Sequence, residues 1–323
     1  MALPTYASPL ERVWHWTYIA ICVAIFVFLI APIIVVIPLS FNAEPYFTFT
    51  EKMLSFDPDG YSMRWYDTLL TFGMSRADAP RDASWWADAW ANAKWLNAAK
   101  NSLIVGFFST ILATVLGTLA ALGLSRPEMP FRRIIMAILI SPMIVPIIIT
   151  ATGMFFFYSS TCVDTTSTIG RLLAPMLSNS GCLANTYLGV ILAHATLGIP
   201  FVIITVTATL IGFDQSLNRA AASLGANPRT TFFKITMPLI LPGVISGALF
   251  AFVTSFDEVV AVLFIAGPDQ QTIPRQMWNG IREQISPAIL AVATLLVIFS
   301  IALLATVEVL RRRGERLRGL TPA

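Results

Sequence analysis

Long apolar runs separated by short polar ones divide this chain into six stretches, near 17–41, 102–125, 134–158, 186–212, 239–261 and 288–310. Each is close to the roughly 20 residues that a helix needs to cross hydrocarbon. Lipid accepts only structures that satisfy their own backbone hydrogen bonds, and the runs are continuous where barrel strands would alternate. The pattern predicts an all-α membrane protein with six transmembrane helices. Little positive charge and no small-residue cleavage site accompany the first run, which therefore reads as a retained helix and not a removed leader.

Composition agrees, with 56% hydrophobic and 12% charged residues and a mean hydropathy of +0.73. A soluble domain carries about a quarter charged residues. The charges here gather between the runs. Loop 126–133 holds Arg126, Arg132 and Arg133, loop 213–237 holds Arg219, Arg229 and Lys234, and the stretch from Arg311 to Arg318 holds five arginines. The opposite side receives two lightly basic loops and segment 42–100, where acidic residues outnumber basic ones. The positive-inside bias predicts an N-in/C-in topology, with Arg311-Arg312-Arg313 anchored beside anionic lipid. The chain divides into an N-terminus and first helix (1–41), an outer segment with an insertion (42–100), a five-helix core (101–310) and a basic tail (311–323). The core includes inner loop 213–238 and an outer insertion at 159–185.

Cys162 and Cys182 fall in one outer loop, and an oxidising compartment would permit a disulfide there. Two separate thiols are the alternative, because spacing does not establish geometry. Segment 42–100 carries Trp65, Trp85, Trp86, Trp90 and Trp95. They suit either an amphipathic stretch at the membrane surface or the small core of an outer cap.

The search for reaction chemistry returns absences. There is no GxxxxGK[ST] phosphate loop, no HExxH and no CxxC pair, and the only histidines are His15 and His194. His194, inside the fourth run, reads as a packed or hydrogen-bonded residue before it reads as a ligand. No nucleophile–base pair is visible, so an enzyme is disfavoured, and nothing points to nucleic acid.

Asp257 and Glu258, in SFDEVV, are more informative. A carboxylate in hydrocarbon costs about 2.5–3.5 kcal/mol and so faces a cavity or a partner. On one helix the two would point about 100° apart, one towards a pathway and the other into the bundle or a subunit interface. No Lys or Arg occupies the centre of any run, so a pathway lined this way favours cations. The alternative leaves the pair in headgroup water at a helix end.

Loop 213–238 is too elaborate for a linker. Residues 220–224 suit a short helix, Gly225 suits its left-handed closing position, and Asn227-Pro228 suits a restart as N-cap and first helical residue. A second short helix should pass through Phe232-Phe233, with Pro238 and Pro242 shaping entry into the fifth run. The resulting elbow shows aromatic and cationic side chains that suit a groove on a partner protein or a lipid surface.

The order Ala220-Ala221, Gly225, Ile235-Thr236-Met237-Pro238 resembles the EAA loop of ABC importer permeases. PLSFN at 38–42, SMRWY at 62–66, NSL at 101–103, GTLAALGLSR at 117–126, SPMIVP at 141–146, TSFDEVV at 254–260 and TIPRQMW at 272–278 narrow the likeness. In that order they resemble the spermidine/putrescine-type permeases over most of the chain. The resemblance implies a type I ABC importer permease fold in a bacterial inner membrane. It implies an ATPase dimer that holds ATP and Mg, a second permease subunit expected to be a different chain, and a periplasmic binding protein. No cofactor would be bound by this chain itself. Carried over residue by residue, Ala220, Ala221, Leu224, Gly225, Ala226, Pro228, Phe232, Phe233, Ile235 and Pro238 form the coupling element. Asp257 and Glu258 line the pathway, and Tyr158 and Trp278 offer aromatic contacts to a cation or the outer gate.

Two departures stand out. Arg219 occupies the position of the loop's Glu, with Ser223 where an acidic residue is usual, and the stretches around 73–95 and 160–184 look like insertions. The implied cargo is a small organic cation, a polyamine above all. Alternatives are a permease for another solute such as an opine or amino-acid derivative, and an ion-coupled secondary transporter, which would show inverted repeats.

Overall fold

The computed structural model describes residues 8–126, 128–163, 181–214, 216–283 and 285–317. Its helices are α1 (Pro9–Leu39), α2 (Glu51–Leu54), α3 (Arg64–Thr71), α4 (Ala83–Asn92), α5 (Lys94–Leu124), α6 (Arg132–Ile144) and α7 (Ile147–Ser160). They continue as α8 (Tyr187–Ile211), α9 (Ser216–Ser223), α10 (Pro228–Thr231), α11 (Met237–Asp257), α12 (Val260–Ile265), α13 (Ile273–Glu283) and α14 (Ala288–Leu317). A π-helical turn, Phe232–Thr236, joins α10 to α11. Among the described residues the only β pairings are the isolated bridges Asn42–Tyr61 and Cys162–Cys182.

Among the described residues, five helical segments are long and apolar enough to cross a membrane: α1, α5, α8, Pro228–Asp257 and Ala288–Thr306. The run at 134–158 is not one straight helix. It forms α6 and α7, which meet at 104° and pass the same test only as a pair. The break falls in SPMIVP. Pro146 has no N–H to continue the ladder and forces Val145 to extended geometry (ψ 136°). Other boundaries shift for local reasons. α1 begins at Pro9, eight residues earlier than the apolar run, because Ser8 and Glu11 form a reciprocal capping box. α14 runs to Leu317, so the first arginines of the expected tail extend the last helix, and residues 318–323 lie outside the described residues. The fifth run ends as a helix at Asp257.

The chain separates into two compact units, residues 1–85 with 280–323, and residues 86–279. In the first, α14 packs against α1 and α3. PLSFN and SMRWY meet in this unit. Asn42 is fully buried. Its Nδ2 donates to the Tyr46 and Thr48 carbonyls at 3.0 Å each, and its own carbonyl accepts from Trp65 Nε1 at 2.7 Å. Ser40 Oγ lies 2.7 Å from Tyr66 Oη, and the Phe41 and Tyr66 rings sit 5.0 Å apart. Trp65 and Trp85 are buried, whereas Trp86, in the second unit, is exposed. The tryptophans of segment 42–100 thus divide between core and surface.

The second unit is built on α5, α8 and α11. Ala113, Val202, Val206, Ile240, Val244 and Ala251 form its apolar centre. Helix axes approach closely where small residues meet, as interfaces in lipid favour. A Cβ on Gly247 would lie 2.8 Å from Val202 Cα, so no larger residue fits there without moving α8. One polar node crosses this centre. Ser255 Oγ lies 2.8 Å from His194 Nδ1 and 2.9 Å from Ser109 Oγ. These three residues come from α8, α11 and α5, and all three are buried.

Candidate functional site

The acidic pair sits at a chain break. Asp257 is the last residue of α11 and is exposed, while Glu258 leaves the helix with ψ 124°. Glu258 Oε1 then accepts from Val260 N at 2.6 Å and Ala261 N at 3.0 Å. Those are the first amides of α12, which have no partner inside their own helix. A negative charge there also complements the helix dipole. The sequence expectation of two carboxylates on one continuous helix, 100° apart, is corrected: one ends α11 and the other starts α12.

Arg275 closes the opposite end of α12. Its Nη1 donates to the carbonyls of Val262 at 3.1 Å and Ala266 at 2.7 Å. Burial pushes the Arg275 guanidinium pKa down. Nearby, Asn101 Nδ2 donates to the Asp269 and Gln271 carbonyls at 2.8 and 2.9 Å, and its Oδ1 accepts from Tyr187 Oη at 2.7 Å. Ser102 Oγ accepts from Ile273 N at 2.8 Å. NSL, from α5, therefore grips the loop that leads into TIPRQMW. Asn101 and Arg275 belong to the site as well; Asn101 has a signal in the sequence, as a polar residue at the edge of an apolar run, and Arg275 has none.

Tyr158 is buried among Val105, Ala193, Val262 and Ile265, where α7 packs on α12. Trp278 is 44% exposed on α13. The structure brings Tyr158 to α12 but does not join Trp278 to the carboxylates by any described contact. Cys162 and Cys182 are disulfide-bonded, and Val163 N donates to the Gly181 carbonyl at 3.0 Å. Most of the insertion that they enclose, 164–180, lies outside the described residues.

The elbow forms a second candidate element. α9 ends at Ser223. Ala226 N donates to the Ala221 carbonyl and Gly225 N to the Ala222 carbonyl, each at 3.0 Å, and Gly225 has φ +80°. This is the Schellman closure that a glycine permits. Asn227 Oδ1 then accepts from Thr230 N at 2.8 Å to start α10, with Pro228 at its first position. Thr236 Oγ1 reaches Asn218 Oδ1 at 3.2 Å and ties the two limbs. At the entry, Ser216 N and Oγ both donate to Asp214, holding its carboxyl below the usual range. Ala221 is buried, whereas Leu224 is 88% and Phe233 67% exposed. Ala220, Pro228 and Pro238 are also exposed, while Ala226, Phe232 and Ile235 are half-buried. Arg219 is exposed on the same element. A folded elbow that shows large apolar side chains suits contact with a partner protein or a lipid surface.

Residues 113–316 match the family described as "Binding-protein-dependent transport system inner membrane component". The chain is 29% identical over 328 residues to the putrescine transport system permease protein PotI of Escherichia coli, covering 99% of this chain and 98% of that one. It is 26% identical over 291 residues to the spermidine/putrescine transport system permease protein PotC of Haemophilus influenzae, covering 90% and 95%. Its fold is similar to a chain in the crystal structure of a bacterial ABC transporter involved in import of the acidic polysaccharide alginate. That likeness has a TM-score of 0.61, 16% identity, and 96% and 99% coverage.

Proposed function

The chain belongs to the family of binding-protein-dependent transport system inner membrane components, a multi-pass permease family, and on that premise we propose that it imports a polyamine, putrescine or spermidine. ATP is hydrolysed by an ATPase dimer bound beneath it, a second permease chain completes the pathway, and a periplasmic binding protein delivers the cargo. The carrying observation is the end-to-end likeness to the putrescine transport system permease protein PotI. The exposed carboxylate of Asp257 at the α11–α12 break supports the same reading, since it suits an ammonium group.

In this mechanism the helical elbow seats in the ATPase. Leu224 and Phe233 provide the apolar contact and the closed Gly225 turn makes the elbow rigid enough to push on α11. Closure of the ATPase dimer shifts α11, and with it the break at Asp257 and Glu258, between inward-open and outward-open states. Six membrane crossings, with α6 and α7 as one broken crossing, and both termini inside complete the topology. Arg219, in place of the family's Glu, calls for an acidic or neutral counterpart on the ATPase. Labelled putrescine uptake into cells that express the full transporter tests the proposal. Saturable uptake, competed by spermidine and not by an uncharged amino-acid derivative, is expected; competition by neutral solutes alone would contradict it.

A further inference from the structure

A cavity of about 340 Å³ lies where α5 ends, α6 begins and α8 ends. Its polar lining includes Ser125, Arg132, Arg133 and Thr207, and its apolar lining includes Met136 and Leu210. Three features set it apart from an ordinary basic loop. First, α6 starts against the usual rule. Phe131 stands at the N-cap with φ 53° and gives no side-chain cap, and the first turn carries no acidic residue. Arg132 and Arg133 instead put two cations on the positive end of the helix dipole, an unfavourable arrangement unless an anion is present. Second, among the described residues neither arginine has a hydrogen bond or ion pair, although Glu128 is nearby in sequence. Third, Thr207 Oγ1 is buried without a partner. Its neighbours Thr205 and Thr209 return their hydroxyls to carbonyls of α8 at 3.0 and 2.7 Å.

From these features we infer that the cavity binds the phosphodiester headgroup of an anionic phospholipid, with the two guanidinium groups and the open amides of α6 on the phosphate. Arginine forks and uncapped helix amides are both matched to phosphate oxygens. Inorganic phosphate shares that chemistry, but Met136 and Leu210 supply an apolar wall that only a lipid would cover. This differs from a basic segment that merely lies in headgroup water, because the two exposed arginines line a half-open cavity formed by three helices.

The test is native mass spectrometry of the purified transporter complex after incubation with dioleoyl-phosphatidylglycerol, dioleoyl-phosphatidylcholine, or inorganic phosphate alone. Retention of phosphatidylglycerol in preference to phosphatidylcholine is expected. Arg132→Gln with Arg133→Gln should lower that retention by roughly tenfold or more, since two charge-assisted contacts are lost. Removing cations from the positive end of a helix does not weaken the helix, so the double variant should melt no lower than wild type without lipid and lose only the rise in Tm that phosphatidylglycerol gives. Undiminished retention in that variant, or equal retention of phosphatidylcholine, would overturn the site. Binding of inorganic phosphate with no retention of phosphatidylglycerol would overturn the lipid as its occupant.

Discussion

Glu258 and Arg275 hold the two ends of one six-residue helix, the carboxylate on its first amides and the guanidinium on its last carbonyls. A helix this short does not persist on its own. Its position beside Asp257 therefore rests on its packing against α7 and on two charged side chains that cap it from outside.

That arrangement separates capping from cargo binding at Glu258. Glu258→Gln keeps an acceptor oxygen and loses only a charge–dipole term of about 0.3–1 kcal/mol, so putrescine KM should rise less than about fivefold. Glu258→Ala removes the cap, at a cost of about 1 kcal/mol or somewhat more, and should cut transport further. Uptake kinetics decide: a large KM increase in Gln with no further loss in Ala would make Glu258 a cation ligand instead. Asp257→Asn should show the opposite weighting, with KM raised and the folded protein unchanged.

Gly225 offers a test of coupling. The position has φ +80° and open space around it, so Gly225→Ala meets no clash and costs only the backbone strain of a left-handed residue, about 1 kcal/mol. Gly225→Asp adds a charge to the docking surface and should abolish transport while membrane insertion persists. Leu224→Ala should weaken retention of the ATPase during purification. Normal uptake in Gly225→Asp would remove the elbow from the coupling path.

Much of this was legible in the sequence, and the residues show why. The elbow was readable because Gly225, Asn227 and Pro228 each impose a local geometry that tertiary packing has little room to override. The apolar runs placed the spans because burial in lipid depends on composition. The break in the third span does not follow from Pro142 and Pro146 alone. Proline interrupts a ladder in some helices and not in others; Pro200 lies inside an unbroken α8. The run of apolar residues that continues past Glu258 argues for an unbroken helix there. What ends the helix is the competing bond from its carboxylate to the next amides. The His194–Ser255–Ser109 node joins three separate helices, a relation that no local pattern carries.

Asn101 is predicted to act as the clasp of the 268–271 loop. Asn101→Leu removes the Asn101 donor from the carbonyls of Asp269 and Gln271, leaving Asp269 only Tyr187 Oη at 3.2 Å, at a cost of about 1–3 kcal/mol for two lost hydrogen bonds. Tyr187→Phe loses one hydrogen bond and should cost about 1 kcal/mol. Thermal denaturation in detergent should rank the variants in that order, and equal Tm values would contradict the clasp.

The disulfide encloses a loop with a sequence separation of 20. Closing a loop of this size lowers the entropy of the unfolded chain by an amount worth roughly 3 kcal/mol. Cys162→Ser with Cys182→Ser should lower the stability of the loop that they close, seen as faster proteolysis there, while ATPase co-purification stays intact. Loss of the ATPase in that variant would show that the loop reports on the whole fold.

The most direct test of the central claim is the ATPase activity of the purified complex in lipid, with its co-purified subunits and a binding protein loaded with putrescine or spermidine. The account predicts stimulation by the polyamine-loaded protein over the empty one, lost in Gly225→Asp. A complex that retains its ATPase but responds equally to loaded and empty protein would contradict the polyamine assignment, and a chain that purifies with no ATPase would contradict the importer.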